Sequence, residues 1–421
     1  MPPTAIDVDR ARADTPGCEL VVHLNHAGAS LPPGPVLAAQ MEWLEAEAVT
    51  GGYELAADRE GDVVATYDEV AGLVGAQRDE IALVENATFA WHQAFWSLPL
   101  RPGDRIITST VEYASSYVSY LQAERRRGVS VEVVPDDEDG QLSIPALAGL
   151  LDDGRAPVGL VAVTHVPTNG GLVNPVAEVG ALCREAGVPF LLDACQSIGQ
   201  MPVDVGEIGC DLLAATGRKF LRAPRGTGFL YARRSLLERL DRLGAEPPFL
   251  DLLGAEWVAP ARYELRPDAR RFENWESNGA AVAGLRAAVT YARSWGLEAI
   301  AVRVGTMAEA LRGRLAQVPG VRVHDLGRHR SGIVTFTVDG IAADEVQARL
   351  RVAGINVSVS EPSATRLDAE RRRLPPLVRA SVHYITTAAE LDRLTAEVGD
   401  MVTSASARDR ASPSGARRRQ P

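Results

Sequence analysis

Short apolar runs alternate with helical stretches from about residue 80 onward, and this alternation restricts the possible folds more than any other feature of the chain. Runs rich in Val, Ile and Leu predict seven strands, at 80–86, 104–110, 129–135, 158–166, 189–194, 211–216 and 227–233. Most are separated by amphipathic segments, such as 176–187, which ends in the glycine that often closes a helix. Near-continuous apolar strands between helices predict an α/β fold, with a mostly parallel central sheet covered by helices on both faces.

The organisation changes after residue 295, where a long helical segment precedes a second group of strands and helices. A chain of 421 residues also exceeds the ~250–300 residues at which one hydrophobic core stops growing. We therefore expect a large domain at 19–294 and a smaller C-terminal α/β domain at 295–402. The terminal segments 1–18 and 403–421 are predicted to be disordered, because their composition offers little to bury.

Composition and charge exclude several classes of function. A formal net charge of −11 argues against a nucleic-acid partner or an acidic membrane surface, since both select a basic face. The chain has no run of ~18 apolar residues, so no membrane span is predicted. The N-terminus lacks the apolar core of a signal peptide. The four cysteines are sparse and lack the paired spacing of a zinc site. A cytoplasmic protein without a bound metal is the expectation.

Two residues that follow predicted strands are suited to one kind of cofactor chemistry. In parallel sheets, ligands bind beyond the carboxyl ends of the strands. Asp193 ends one strand, and Lys219 follows the next strand 26 residues later. A carboxylate keeps a pyridine nitrogen protonated, and a lysine amine can bond covalently to an aldehyde and later move protons. Taken alone, such a pair is also common in purely structural positions.

The residues around this pair carry a resemblance to a known family. Thr216-Gly-Arg-Lys219 followed by the glycine-rich segment 222–229 resembles the cofactor-lysine segment of class V aminotransferases, which are pyridoxal 5′-phosphate (PLP) enzymes of fold type I. The segment 193–197, Asp-Ala-Cys-Gln-Ser, matches the ring-binding motif of that family. The resemblance extends from Asn25 to about Gly399. It implies a homodimer that acts on a small amino-acid substrate with PLP as the cofactor.

The resemblance also implies contacts to the cofactor ring. Lys219 would carry PLP, Asp193 would pair with the pyridine nitrogen, and Gln196 would approach the phenolic oxygen. Tyr113 occupies the position where relatives have a histidine, so its ring is expected to stack on the cofactor. With Lys219 and Asp193, it completes the expected catalytic set.

Other residues are expected to surround the phosphate and the oxygen O3′ of the cofactor. The turn Asn86-Ala87-Thr88 ends a strand and begins a helix, which by itself makes an anion site. Thr216 is expected to add a hydroxyl there. In the loop 164–171, Thr168 is the first candidate to lie near O3′ and Asn169 the second.

The substrate side is expected to form around Arg379, which matches the family's carboxylate-binding arginine on a strand of the small domain. A planar guanidinium binds a carboxylate through two parallel hydrogen bonds. Asn25 and His26 lie in a segment, 19–35, that resembles the family's substrate entrance. His165 is interpreted as a packed core histidine.

The sequence departs from the family at two places. Cysteine desulfurases carry a persulfide-forming cysteine in a mobile loop, and the matching segment 356–364 has none. Trp275 and Glu276 replace a Gly-Thr pair whose threonine reaches the partner subunit's phosphate in relatives. Trp275 is therefore a candidate wall of the substrate pocket or a residue of the dimer interface.

These departures favour β-elimination from a cysteine S-conjugate, which is C–S lyase chemistry of a type found in antibiotic pathways. A persulfide-forming desulfurase is disfavoured. The alternatives are a class V aminotransferase, an isopenicillin N epimerase-like racemase and a decarboxylating oxidative deaminase of S-conjugates. Outside this group, a non-catalytic scaffold remains open, while a dinucleotide-binding oxidoreductase is disfavoured because no glycine-rich G-x-G-x-x-G turn follows the first strand.

Overall fold

A computed structural model describes residues 5–411, with side chains up to residue 404. The described residues form fifteen strands. They are β1 Val22–His23, β2 Ile81–Val84, β3 Arg105–Thr108, β4 Ser130–Val133, β5 Val158–Thr164, β6 Phe190–Asp193, β7 Leu212–Thr216, β8 Gly228–Ala232, β9 Ala255–Ala259, β10 Arg262–Leu265, β11 Val321–Val323, β12 Ile333–Val338, β13 Ile355–Asn356, β14 Ser358–Ser360 and β15 Leu377–Ser381.

The same part of the chain forms fifteen α-helices. They are α1 Val8–Ala13, α2 Gly34–Thr50, α3 Gly52–Asp58, α4 Glu60–Val74, α5 Ala87–Ser97, α6 Ala114–Arg127, α7 Ile144–Leu151, α8 Val176–Ala186, α9 Val205–Ile208, α10 Arg234–Arg242, α11 Gly279–Trp295, α12 Leu297–Ala316, α13 Ala343–Val352, α14 Arg366–Arg372 and α15 Ala388–Ala411. None of these helices is both long enough and apolar enough to cross a bilayer.

The central sheet contains the seven predicted strands in the order β2-β8-β7-β6-β5-β3-β4. Strand β8 is antiparallel to both of its neighbours, and the remaining pairs are parallel. Consequently β2 through β7 all point the same way. Their carboxyl ends meet at one edge of the sheet, which is where the side chains that follow them come together.

Both faces of this sheet are buried, as near-continuous apolar strands require. Along β6, Leu192 packs into one core cluster and Leu191 into the other. Helix α8 contributes Val179 and Cys183 to the first cluster. Helices α5, α6 and α10 cover the opposite face. The predicted fold class is confirmed.

A second sheet, of four antiparallel strands in the order β11-β12-β15-β14, is formed by the C-terminal part of the chain. Several of its apolar side chains, among them Phe336 and Ala380, belong to the same core cluster as one face of the central sheet. The entrance segment joins this region: β1 pairs with β13, and Asn25 bridges to Ser381 at the end of β15. Arg379 is thereby held next to that segment.

The ends of the chain differ from the predicted disordered tails. Residues 8–13 form helix α1, and Ala11 of that helix is fully buried. Arg12 donates to the carbonyl of Ile385 at 2.9 Å and to Glu390 at 3.0 Å. Polar contacts to distant segments thus order a stretch with few apolar residues. Helix α15 continues past residue 402 to Ala411. The rest of the predicted tails, 1–4 and 412–421, lies outside the described residues.

Candidate functional site

The structure brings most of the predicted cofactor residues to one cavity at the carboxyl edge of the central sheet. Nine of the ten line this cavity: Asn86, Ala87, Thr88, Tyr113, Thr168, Asp193, Gln196, Thr216 and Lys219. They come from the segments that follow β2, β3, β5, β6 and β7. The shared direction of these strands explains why residues more than one hundred positions apart in sequence meet here.

Lys219 lies in the cavity without a side-chain hydrogen bond or ion pair to any other described residue. Burial is the main cause that lowers the pKa of Lys219, and nearby Cys195 and Asp193 oppose the shift. A lowered pKa leaves more of the amine unprotonated. An uncharged, unpartnered amine is the form that bonds to an aldehyde carbon, so Lys219 fits the attachment point of PLP.

Asp193, at the end of β6, is a buried carboxylate that makes no ion pair with a described residue. One of its oxygens accepts a hydrogen bond from the backbone N–H of Cys195 at 2.8 Å. A buried anion without a cationic partner is unfavourable. A protonated pyridine nitrogen would supply the missing charge, and for this reason Asp193 also fits PLP.

The turn after β2 offers backbone donors to an anion. Asn86 caps helix α5, and its side chain accepts from the N–H of Phe89 at 2.9 Å. Strand β8 passes so close that a Cβ on Gly228 would lie 2.6 Å from the carbonyl oxygen of Ala215 and 3.0 Å from the carbonyl carbon of Asn86. Thr88 is exposed beside this turn, while Thr216 is buried. The helix N-terminus and the hydroxyls suit the phosphate of PLP.

Arg379, on β15, contacts the cavity lining through Thr168. It donates to the hydroxyl of Thr168 at 2.7 Å and to the carbonyl of Thr168 at 3.0 Å. A longer contact of 3.5 Å joins it to the amide oxygen of Asn25. Burial lowers the pKa of Arg379 to about 10, and its Nε has no hydrogen-bond partner. This arginine can bind a carboxylate.

Three predicted site residues lie elsewhere in the described chain. His26 packs among His23 and His383, with ring centroids 4.8 and 4.9 Å away, and does not line the cavity. Asn169 donates to the carbonyl of Glu361 in the segment 356–364 at 2.9 Å. Trp275 is half-exposed, and its backbone N–H donates to the carboxylate of Asp251 at 2.9 Å. Their roles toward substrate or cofactor stay predictions.

Sequence reasoning missed Glu112, which lies behind the cavity and is buried. Its carboxylate accepts hydrogen bonds from the hydroxyls of Thr108 (2.8 Å) and Thr164 and from the N–H of Tyr113 (2.9 Å). Burial raises the pKa of Glu112 to about 7, and Asp193 adds to the shift. Only its position directly before Tyr113 hinted at a role.

Arg218 and Cys195 also line the cavity, although the sequence analysis assigned neither a role in the site. Arg218 directly precedes Lys219, which is the signal that could have found it. Burial and the charge of Asp193 raise the pKa of the Cys195 thiol well above its usual value. Of the other cysteines, Cys183 and Cys210 are buried. Within the described residues, no group of three or more metal-binding side chains could hold an ion.

Comparison with known proteins gives matches over nearly the whole chain. Residues 22–394 match the family model described as aminotransferase class-V. A curated relative from Methanothermobacter thermautotrophicus, described as a probable cysteine desulfurase, is 30% identical over 392 residues, which are 91% of this chain and 95% of the relative.

Solved structures give the same fold. A cysteine desulfurase from Thermococcus onnurineus NA1, solved in its apo form, superposes with a TM-score of 0.87 at 25% identity, covering 96% of this chain and all of the other. A variant of a protein called C-DES, solved with glycine covalently linked to its PLP cofactor, gives 0.80 at 24% identity, over 92% of this chain and 99% of that one.

The predicted β-elimination of a cysteine S-conjugate was wrong, because the relatives that match the whole chain are described as cysteine desulfurases. The prediction relied on one absent cysteine in the segment 356–364. That absence shows that the segment supplies no thiol, but it does not decide which bonds of the substrate break.

Proposed function

This chain belongs to the aminotransferase class-V family and is a PLP-dependent enzyme, and from this premise we propose that it removes the sulfur atom of L-cysteine. Relatives that align with more than nine-tenths of the chain are described as cysteine desulfurases. The observation that carries the proposal is that Lys219 and Asp193 line one cavity, while Arg379 donates a hydrogen bond to Thr168 of the same lining.

Bound PLP would act as an electron sink for the carbon atoms of the substrate. Arg379 binds the α-carboxylate and so fixes the orientation of the amino acid over the cavity. Lys219 moves protons at the α-carbon and the β-carbon, and its lowered pKa suits proton transfer near neutral pH. Asp193 balances the charge of the pyridine nitrogen.

The reaction balances with one acceptor thiol. The Cβ–Sγ bond of cysteine breaks, and its electron pair stays with Cβ, which takes up a proton to give L-alanine. The sulfur atom bonds to the sulfur of the acceptor thiol, which becomes a persulfide. No external oxidant or reductant is needed.

The acceptor thiol comes from outside the chain. The segment 356–364 contains no cysteine, and Ser358 of that segment lies opposite Arg379 in the β14–β15 pair. Cys195 lines the cavity, but the raised pKa of its thiol leaves little of the reactive thiolate. A small thiol from solution therefore takes the sulfur.

The test is the fate of L-cysteine with dithiothreitol as the acceptor. The holoenzyme should release L-alanine and reducible sulfur in equal amounts, and Lys219→Ala should release neither. Arg379→Gln should raise KM for L-cysteine by about tenfold or more, since it loses a charge-assisted pair with the carboxylate. Pyruvate and ammonia in place of alanine would overturn the proposal.

A homodimer is part of the proposal. The turn Asn86-Ala87-Thr88, called here the phosphate turn because it would hold the phosphate of PLP, is open in a single chain. Its residues Asn86 and Thr88 are exposed. Large apolar side chains are exposed in the neighbouring segment 249–275, among them Leu252 (68%) and Trp257 (75%). Asn274 of this segment donates to Glu85, directly before the turn, at 2.9 Å. A second copy that covers the segment would close the phosphate end of the site.

A further inference from the structure

A second cavity lies at the amino ends of the central strands, at the edge of the sheet opposite the cavity of Lys219. This amino-edge cavity has a volume of about 390 Å³ and is formed by the segments 98–104, 157–159 and 187–189 together with helix α10. Strand β5, which runs between the two edges, has seven residues, about 20 Å at ~3.3 Å per residue. Sites for small molecules usually have volumes of ~300–1,000 Å³. The amino-edge cavity is therefore large enough for a small ligand and separate from the cavity of Lys219.

A bulge in strand β5 contributes to the space at this edge. The register between β3 and β5 shifts after Arg105, and the pairing skips Gly159. A bulge of this kind bends its strand and is common at sheet edges. A Cβ on Gly159 would lie 2.7 Å from Cδ2 of Leu100 and 3.2 Å from Cβ of Asp104, and both of these residues line the cavity. Glycine at this position therefore keeps the cavity wall open.

The buried part of the lining is apolar. It includes leucines from the turn before β3 and from α10, namely Leu98, Leu100, Leu236 and Leu240. Pro157 and Pro189, which directly precede β5 and β6, have no backbone N–H. Their carbonyl oxygens accept hydrogen bonds from strands β3 and β5. This part of the lining therefore suits the apolar part of a ligand.

Arginines surround the mouth of the cavity without acidic partners. Arg101, Arg239 and Arg242 line the cavity and are exposed, and none of them makes an ion pair with an acidic side chain of residues 5–404. Asp104 is the one acidic residue of the lining, and it accepts from the backbone N–H of Arg101 at 2.8 Å. Three positive charges thus face one negative charge, in a chain whose formal net charge is −11. Such a local excess of positive charge attracts an anion.

Helix α10 presents both kinds of side chain on one face. Leu236, Arg239, Leu240 and Leu243 recur at intervals of three or four residues, and all four line the cavity. Leu243 directly follows the helix and is 49% exposed. Arg239 donates to the carbonyl of Gly187, on another segment of the lining, at 3.4 Å. One ligand can therefore contact leucine side chains and a guanidinium group at the same time.

We propose that the amino-edge cavity binds a small amphipathic anion, a carboxylate with an apolar tail. The tail packs on the buried leucines, and the carboxylate accepts paired hydrogen bonds from a guanidinium at the mouth. Binding requires both parts of the ligand, because the apolar lining and the arginines belong to the same cavity. The inference goes beyond the proposed function and does not depend on it, since the two cavities share no lining residue.

The first experiment is calorimetric titration of the PLP-loaded enzyme with octanoate, 1-octanol and acetate. Octanoate has both parts of the ligand, whereas 1-octanol lacks the charge and acetate lacks the tail. Octanoate should bind at least tenfold more tightly than either, because 1-octanol loses the charge-assisted pair and acetate loses the burial of the chain. An affinity for octanoate no higher than for 1-octanol or acetate, or no binding of octanoate, would overturn the inference.

A matched pair of variants at Leu243 tests the location of the anion. Leu243→Gln and Leu243→Glu have nearly the same shape and differ in charge, and the half-exposed position tolerates both side chains. Leu243→Glu should bind octanoate at least tenfold more weakly than Leu243→Gln, because the new carboxylate repels the ligand and pairs with the arginines. Their affinities for 1-octanol should be equal. Equal affinities of the two variants for octanoate would place the ligand elsewhere and overturn the inference.

Arginine variants complete the test. The double variant Arg239→Gln/Arg242→Gln should weaken octanoate binding at least tenfold and leave 1-octanol binding unchanged. Arg234→Gln, which changes an exposed arginine of α10 outside the lining, is the matched control and should bind octanoate like the wild type. Arg379→Gln should also keep octanoate binding. Retained binding in the double variant, or its loss in Arg379→Gln, would contradict a carboxylate site in the amino-edge cavity.

Discussion

At the scale of single residues, Glu112 shows how the site is supported from behind. Its carboxylate joins the ends of β3 and β5 through Thr108 and Thr164, and Thr164 is paired with Asp193 across the β5–β6 ladder. It also accepts from the N–H of Tyr113, the residue that caps α6 at the mouth of the cavity. Glu112 thus connects Tyr113 to strand β5, which pairs with the strand that ends in Asp193.

Glu112 should make stability depend on pH. Its pKa is about 7 in the folded protein and near 4.5 when unfolded, so the native state keeps a proton that the unfolded state releases. Stability from this residue is therefore full below pH 4.5, falls as pH rises to 7, and is constant above. The loss amounts to roughly 3 kcal/mol.

The measurement is the free energy of unfolding of wild type and Glu112→Gln between pH 4.5 and 8. The free energy of unfolding of Glu112→Gln, relative to that of wild type, should increase as pH rises from 4.5 to 7. A difference that does not change with pH would show that Glu112 is not protonated in the native protein.

The meeting of single residues in one cavity was predictable where a motif surrounds them, while their roles stay predictions. Lys219, Asp193 and Thr216 could be placed together because they end or follow strands at the spacing of the family's motifs. Glu112 could not be placed, because its position behind the cavity depends on burial and on a hydrogen bond to Thr164 in another strand. His26 was assigned from the entrance segment, yet the structure packs it among other histidines.

At the scale of elements, Arg222 connects three parts of the chain. It adopts a left-handed backbone conformation with φ of 63° in the loop after Lys219. Its guanidinium donates to Thr15 next to α1 at 2.6 Å, to the carbonyl of Leu31 at 2.9 Å and to Tyr384 after β15 at 2.7 Å. The loop that carries Lys219 is thereby tied to both the N-terminal and C-terminal segments.

Arg222→Ala should lower the free energy of unfolding by about 3 kcal/mol, because it leaves buried hydroxyl and carbonyl groups without partners. It should also speed tryptic cleavage at Arg10 and Arg12, since α1 loses one of its anchors. Arg225→Ala, in the same loop but exposed, is the matched control. Unchanged cleavage of Arg222→Ala would contradict the anchoring role.

Elements were predictable to the extent that they bury apolar residues. All seven strands of the central sheet were predicted from their apolar runs, and each is shorter than its run because the ends belong to turns. Helix α1 was missed because long-range polar contacts hold it. The β9–β10 hairpin was missed because its residues are largely exposed.

At the scale of the whole molecule, the two sheets share one core cluster, which fixes Arg379 over the carboxyl edge of the central sheet. The change of pattern after residue 295 predicted a second α/β unit. It could not predict which strand of that unit reaches the cavity, because that depends on how the sheets pack.

The proposed dimer gives a prediction at the same scale. Trp257→Glu should weaken self-association by at least tenfold, because it places a charge in the exposed apolar segment that a second copy would cover. PLP should then dissociate more readily, since the phosphate turn is open. Val352→Glu, on the exposed face of α13, should change neither. Sedimentation velocity measures association, and equal behaviour of both variants would contradict this dimer.

We propose that Lys219, which lines the cavity, carries the cofactor. Borohydride reduction of the PLP-loaded protein converts the link between cofactor and lysine into a stable amine, and mass spectrometry of the peptides then locates it. A pyridoxyl group is expected on Lys219, and no stable label is expected in Lys219→Ala. Lys219 is the one lysine in the sequence, so a label confined to the α-amino group, or no label in a protein saturated with PLP, would contradict this assignment.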